Sequence, residues 1–220
     1  ERVLPEPVAQ YGAPGQFHAD GISVGCLHVD AKGERSILFM GWQTPPDGHW
    51  RGDIGRFRLN DDWSLTLDPD RPYLAVDETD TISLSYPWVH RSQEGFTMWY
   101  GSTITWQTGN GEMLHVLREA TSTDGITWQR TGTALPHPIG TAQAFSRPTV
   151  AEDGRGGLQM WFSYRGAPGR TYRIGHATRP RGGDWALSLA SGGLDVALDG
   201  WDSEMVEYPF VLDHGGERLM

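Results

Sequence analysis

Two glutamates, Glu204 and Glu207, interrupt an otherwise apolar, strand-like run that ends at Leu212. Burying a carboxylate is costly unless the site pairs it or uses it. Glycosidic bond cleavage uses such groups: one carboxyl protonates the leaving oxygen, and a second activates water or attacks the sugar carbon. Glu204 and Glu207 are therefore candidate acids, the alternative being a structural pair with an arginine. They point to opposite faces of a regular strand, and we favour Glu204, at its start.

Asp20, at the start of the first inner strand, is the candidate base or nucleophile. Aspartates stand at the same distance before three valines, in the pairs Asp20 and Val29, Asp80 and Val89, and Asp202 and Val211. An aspartate that recurs in register is more often a cap at a turn than a catalyst, so both interpretations of Asp20 stay open. We expect Asp80 to contact the substrate.

Three further residues are candidates for substrate binding: Arg147, His90 and Trp88. The planar guanidinium of Arg147 suits a carboxylate, phosphate or hydroxyl, and the alternative is an ion pair between repeats. His90 follows an inner strand, although a lone histidine there is more often at the surface. Trp88, with Trp42 and Trp50, could stack on a sugar.

An internal repeat must position these residues, because one short frame recurs about every 60 residues. Its prolines are Pro87, Pro148 and Pro209, and the methionines of the following aromatic strands are Met40, Met98, Met160 and Met220. Each unit reads as several short strands joined by Gly- and Pro-rich turns, without helical periodicity. Repeats of this kind predict an all-β propeller of four-stranded antiparallel blades, in which inner strands bring distant carboxylates to one channel.

Composition narrows the possible partners of this 220-residue chain. A net charge of −10 without basic runs argues against nucleic acid and anionic membrane surfaces, and no apolar run predicts membrane insertion. The single Cys26 excludes an intrachain disulfide, and we expect neither a metal nor a cofactor. An exported protein with a removed signal peptide stays possible, although a cytoplasmic location is slightly favoured.

Four frames in the sequence resemble the five-bladed β-propeller glycosidase superfamily of arabinanases, invertases and levansucrases. They are Ser146-Arg147-Pro148 with Val150, Met160-Trp161-Phe162-Ser163-Tyr164-Arg165, Tyr172-Arg173-Ile174-Gly175-His176-Ala177 and Asp202-Ser203-Glu204-Met205. The sequence is most similar to an uncharacterised bacterial branch linked to polysaccharide biosynthesis. The resemblance implies five blades, a saccharide or glycoconjugate substrate, and an acidic trio of base, acid and acid-tuning aspartate.

One domain over residues 1–220 is expected, holding three repeats and part of a fourth. We expect this stretch by itself to aggregate or oligomerise, because its last strand would lack a partner.

The favoured function is glycoside hydrolysis or transfer with Asp20 and Glu204 or Glu207. A non-catalytic carbohydrate-binding propeller and an interaction scaffold are the alternatives. An enzyme would bring two carboxylates together, whereas a binding module would show aromatic residues and arginine with one carboxylate at most.

Overall fold

The computed structural model describes residues 5–167, 169 and 171–220 and has an all-β architecture. No α-helix occurs in this part of the chain, which has one 3-10 turn at Leu189–Ser191. The strands are β1 (Gly21–Val29), β2 (Arg35–Gln43), β3 (Arg51–Leu59), β4 (Leu65–Leu67), β5 (Ser83–Ser92), β6 (Gly95–Thr105), β7 (Leu114–Ser122), β8 (Gln129–Thr133), β9 (Ala144–Glu152), β10 (Leu158–Arg165), β11 (Arg173–Arg179), β12 (Ala186–Ser188), β13 (Leu212–His214) and β14 (Glu217–Leu219).

The strands form antiparallel meanders in chain order, which confirms the all-β prediction. We call β1–β4 the first blade, β5–β8 the second and β9–β12 the third, and the hairpin β13–β14 follows them. A single parallel pairing, between His115 and Ala144, joins the second blade to the third. No sheet among the described residues closes on itself. We call the first strand of each blade, β1, β5 or β9, its inner strand.

The blades pack face to face through side chains that alternate along their strands. Met98 and Trp99 show this, because Met98 faces the first blade and its neighbour Trp99 faces the third. The core between the first two blades comprises Cys26, Leu38, Ile54, Leu74, Leu84, Met98, Tyr100 and Ala120. The core between the second and third comprises Trp99, Leu117, Leu135, Ala142, Phe145, Val150, Met160, Phe162, Ala177 and Trp185. The second blade therefore buries both of its faces, one against each neighbouring blade.

The strands β5 and β9 each contain a β-bulge directly before a repeated proline, and the third such proline, Pro209, follows Tyr208 outside the strands. Tyr86, Arg147 and Tyr208 have positive φ angles of 35°, 47° and 60°. In β5 the pairing register shifts between Ser85 and Trp88, where the extra residue is accommodated. A non-glycine residue with positive φ is uncommon, and a bulge re-aims a side chain. The fold thus gives these three side chains a shared and unusual direction.

The predicted register of the first blade is wrong because its bulge lies at Gly25, between Val24 and Cys26. Met98 pairs with Val89 and Met160 with Val150, as equivalent positions should, whereas Met40 pairs with Ser23. Alignment on the register shifts makes Cys26, the first paired residue after the shift in β1, equivalent to Trp88 in β5. Leu27 then corresponds to Val89, and Asp20 corresponds to Ile82, Gln143 and Glu204 rather than to Asp80. A Cβ on Gly25 would lie 2.5 Å from the Pro87 carbonyl oxygen, so no proline can mark the frame there.

Candidate functional site

A pocket of about 390 Å³ is lined by residues of all three blades. Its walls come from β2, β5, β7, β9 and β10 and from the segments that contain Trp50, Tyr172 and Tyr208. The lining residues are Met40, Trp42, Thr44, Trp50, Ser85, Tyr86, Met113, His115, Phe145, Ser146, Arg165, Tyr172 and Tyr208. No aspartate or glutamate belongs to this lining in the part of the chain that the structure describes. Aromatic rings and hydroxyl groups dominate, a surface suited to the faces and edges of a sugar ring.

The residues directly before the repeated prolines, Tyr86, Arg147 and Tyr208, converge beside this pocket. The Tyr86 and Tyr208 ring centres are 5.4 Å apart, and their hydroxyl oxygens lie 3.4 Å apart. The guanidinium carbon of Arg147 lies 5.5 Å from the centre of the Tyr86 ring and 5.4 Å from that of Tyr208. Cation–π attraction at this range holds the arginine between residues from the second and fourth repeats. Arg147 thus lies against two tyrosines that line the pocket, although it does not line the pocket itself.

Glu207 is half-buried next to the pocket residue Tyr208. Hydrogen bonds of the two adjacent residues fix the backbone of Glu207. The Tyr208 amide donates to Ser163 Oγ at 2.6 Å, and the Val206 amide donates to the Tyr172 carbonyl at 3.3 Å. Its Oε2 atom is buried and has no hydrogen-bond partner among the described residues. Burial raises the pKa of this carboxyl, and the positive charge of Arg165 opposes the rise. Such a group keeps its proton to a higher pH than an ordinary glutamate.

Glu204 has a different environment, although it lies three positions away. Its side chain is exposed, and its backbone carbonyl accepts a hydrogen bond from Arg173 at 3.0 Å. Solvent around this carboxylate leaves it without the desolvation that favours a proton donor. The preference for Glu204 drawn from the sequence therefore moves to Glu207.

Asp20 lies at the rim of the pocket. Its carboxylate accepts the backbone N–H of Thr44, and its own amide donates to the Trp42 carbonyl at 3.0 Å. Trp42 and Thr44 both line the pocket, while the Asp20 side chain itself is exposed. The carboxylate is thus oriented by a backbone donor and remains open to water.

Asp80 lies outside the residues that line the pocket, within the second blade. Its side chain is fully buried and ion-paired with Arg118 at 3.1 Å and Arg130 at 2.8 Å. Tyr100 and Ser102 donate hydrogen bonds to it at 2.7 and 2.6 Å. All of its acceptor capacity is used inside the blade, so the predicted substrate contact is not supported. Asp80 instead connects β6, β7 and β8.

His90 and Trp88 also lie outside the pocket lining, contrary to their predicted role. His90 Nε2 is 3.5 Å from a carboxylate oxygen of Glu152, at the junction between the second and third blades. The Trp88 indole N–H donates to the Val150 carbonyl at 3.2 Å, and its ring packs edge-on against Phe210 at 5.6 Å. Alternation along β5 carries both side chains to the blade interface. By contrast, Trp42 and Trp50 do line the pocket.

Ser85 and His115 form a polar floor that the sequence reasoning missed. His115 Nε2 lies 2.8 Å from Ser85 Oγ, and its Nδ1 lies 2.8 Å from Thr103 Oγ1. Burial lowers the pKa of His115 to about 4, so the imidazole is neutral at pH 7. A Cβ on Gly101 would lie 2.2 Å from Ser85 Oγ, so this pair needs a glycine opposite it. The position of Ser85 in the repeated frame was the only available signal.

Arg165 and Tyr172 complete the wall beside Glu207. Arg165 pairs with the buried Glu112 at 2.9 Å, and its guanidinium lies 4.8 Å from the centre of the Tyr172 ring. Burial raises the pKa of Tyr172, and Glu207 adds to the rise. Both residues fall in frames of the resemblance, which gave no hint of these pairings.

Neither a metal cluster nor a membrane helix is visible in residues 5–167, 169 and 171–220. No group of three or more His, Cys, Asp or Glu residues in these ranges is arranged to hold a metal ion. No helix there has the length and apolar character needed to cross a membrane.

Comparison with known proteins places this architecture among carbohydrate-active enzymes at the level of the fold. No protein-family model matches the chain. The uncharacterized protein Rv1502 of Mycobacterium tuberculosis is 38% identical over 216 residues, which is 98% of this chain and 71% of that protein.

Solved structures of glycoside hydrolases share the fold. One described as "Glycoside hydrolase" superposes with a TM-score of 0.70 at 14% identity, over 92% of this chain. The Cellvibrio cellulosa alpha-L-arabinanase superposes with a TM-score of 0.55 at 12% identity, over 82% of this chain. The chain spans 65% and 61% of the lengths of those two proteins. The resemblance to the propeller glycosidases is confirmed as a likeness of fold.

Proposed function

Since this chain belongs to the family of the mycobacterial protein Rv1502 and has the fold of propeller glycoside hydrolases, we propose that it cleaves or transfers a glycosidic bond at the pocket. The complete protein would form five blades, to which this chain contributes three and part of a fourth. The pocket would then open at the central channel, where the inner strands converge.

The environment of Glu207 carries this proposal. A carboxyl that is desolvated, lacks a hydrogen-bond partner at Oε2 and adjoins a pocket residue is suited to remain protonated until a substrate arrives. Donating its proton to the glycosidic oxygen would let the aglycone depart as a neutral alcohol when the bond between this oxygen and the anomeric carbon breaks. The resulting carboxylate would be stabilised by the positive charge of Arg165.

Asp20 is the second carboxylate of the proposed mechanism. It is solvated and oriented by the Thr44 amide at the pocket rim, whereas Glu207 is half-buried. Two carboxyl groups in contrasting environments are the pattern expected of a base, or nucleophile, and an acid. Asp20 would activate water or attack the sugar carbon while Glu207 supplies the proton.

A non-catalytic carbohydrate-binding module is the second candidate. The lining of the pocket favours it, because the described lining has tyrosine, tryptophan and arginine but no acidic side chain. In this case the sugar would stack on the aromatic rings, and neither Asp20 nor Glu207 would contribute to turnover.

Turnover of a panel of aryl glycosides by the intact protein separates the two functions. For the glycosides in the panel whose leaving groups are poor, Glu207→Gln should lower the rate by about 10²–10⁴, the usual contribution of a positioned acid–base group. Glu204→Gln is the matched control, since it makes the same change three positions away at an exposed site and should leave the rate unchanged. Sugar binding without turnover by the wild-type protein would establish the binding module instead.

A further inference from the structure

Arg147 is a half-buried cation that has aromatic neighbours but no acidic partner in the described structure. Its guanidinium lies near the Tyr86 and Tyr208 rings, and no carboxylate of the described residues lies within 4.0 Å of it. Arg165, on the same side of the third blade, shows the usual arrangement, because it is neutralised by Glu112. Arg147 therefore brings a net positive charge to the pocket.

The two rings stabilise the charge of Arg147 but leave its hydrogen-bonding capacity unused. A guanidinium has five N–H donors in a fixed plane, and no hydrogen bond from Arg147 to a described residue is present. Partly desolvated cations are normally paired, because removing their hydration is costly. A ligand that supplies two acceptor oxygens would satisfy both the charge and the donors.

The backbone shows that the position of Arg147 is built into the fold. Its φ of 47° matches the positive φ angles of Tyr86 and Tyr208, which also lie directly before the repeated prolines. Left-handed backbone at non-glycine residues persists only where surrounding structure holds it. These backbone conformations turn Tyr86, Arg147 and Tyr208, which belong to different repeats, toward one another. Arg147 is therefore held between the two tyrosine rings rather than left at a solvated surface.

We propose that Arg147 binds an anionic group on the sugar, so that the substrate class is an acidic glycan bearing a carboxylate, phosphate or sulfate. The inference rests on the proposed function for its choice of a carbohydrate ligand. The net charge of −10 gives an anion no long-range attraction to this chain, so recognition must come from the local contact. Tyr86 and Tyr208 would contact the sugar ring while the guanidinium grips the anion.

Calorimetric titration of the intact protein with matched monosaccharides tests this assignment. The panel pairs methyl glucoside, galactoside and mannoside with the corresponding methyl uronides and with the three hexose 6-phosphates. At least one anionic sugar should bind about 10- to 100-fold more tightly than its neutral partner, the range of charge-assisted hydrogen bonds. Preference for a uronide identifies a carboxylate, and preference for a 6-phosphate identifies a phosphate ester.

Arg147→Gln should abolish that preference while retaining the weak affinity for the neutral sugar. Arg91→Gln is the matched control, because Arg91 also lies over an aromatic ring, that of Phe96, but is exposed and far along β5. If Arg147→Gln unfolds, salt provides a second measurement, since added NaCl should weaken wild-type binding of the anionic sugar only.

Equal affinity for anionic and neutral sugars, or no binding of any anionic sugar in the panel, would overturn the assignment. An anionic preference that survives Arg147→Gln would do the same. The methyl glycosides need not react, so these results are independent of turnover. Loss of catalysis in Glu207→Gln without an anionic preference would retain the proposed function and reject this inference.

Discussion

Tyr86 and Tyr208 are 122 positions apart in the sequence, yet their ring centres are 5.4 Å apart. Each lies directly before the repeated proline of its own repeat and has a positive φ angle. The contact shows how the repeated architecture makes a site, since equivalent positions of successive blades point to a shared centre. Arg147, the equivalent residue of the intervening repeat, completes the cluster.

Removing the charge of Asp80 should destabilise the second blade. Asp80→Asn leaves Arg118 and Arg130 without their buried carboxylate, and breaking such a pair typically costs about 3–5 kcal/mol. Urea unfolding of the intact protein measures the loss. Asp61→Asn is the control, because Asp61 pairs with Arg35 at the surface and its removal should have little effect. An unchanged unfolding midpoint for Asp80→Asn would show that the buried network is not stabilising.

Acid should destabilise the protein through His115. Its pKa is lowered to about 4 in the folded state, whereas an unfolded histidine has a pKa of about 6.5. Between these values the unfolded chain binds a proton that the folded protein does not, so the free energy of unfolding falls as pH decreases. This residue contributes a loss of about 2 kcal/mol between pH 7 and pH 5.

Urea unfolding at the two pH values, in wild type and His115→Gln, isolates this contribution from those of other histidines. The variant should lose less stability on acidification than the wild type. Identical pH dependence in the two proteins would contradict the burial of a neutral imidazole at this position.

The fold was largely predictable because the residues that shape each repeat recur at regular spacing in the sequence. The prolines at 87, 148 and 209 each follow a residue with a positive φ angle. Met98 and Met160 occupy equivalent strand positions. The first blade was misaligned because Gly25, which has no Cβ, packs directly against Pro87 and replaces the proline of the frame. A steric requirement from a neighbouring blade is invisible in the local pattern.

The site was only partly predictable because its chemistry depends on contacts between blades. Asp20, Arg147 and Glu207 each adjoin residues that line the pocket, and their roles in binding or catalysis stay predictions. Asp80 matches a catalytic pattern equally well, but arginines from neighbouring strands take up its charge. Glu207 is more buried than Glu204, and the residues on either side of it hydrogen-bond to Ser163 and Tyr172 of the third repeat. The spacing of the two glutamates in the sequence does not reveal this difference in burial.

The pH dependence of glycoside turnover should report the raised pKa of Glu207. A general acid works only when protonated, so kcat/KM should decrease as pH rises through its pKa, above the range of an ordinary glutamate. Arg165 holds this pKa down, and Arg165→Gln should therefore move the decreasing limb to higher pH. Arg165→Lys preserves the charge and should leave the limb in place. Equal displacement by both variants would exclude a charge effect.

The dependence of rate on the leaving group tests most directly whether Glu207 donates the proton. Aryl glycosides with leaving groups of decreasing pKa are compared in the wild-type protein and Glu207→Gln, with Asp20→Asn as the contrasting variant. Poor leaving groups need protonation and good ones do not, so the loss in Glu207→Gln should shrink as the leaving group improves. Asp20→Asn should show no such rescue. A constant loss across the series for Glu207→Gln would contradict its assignment as the acid.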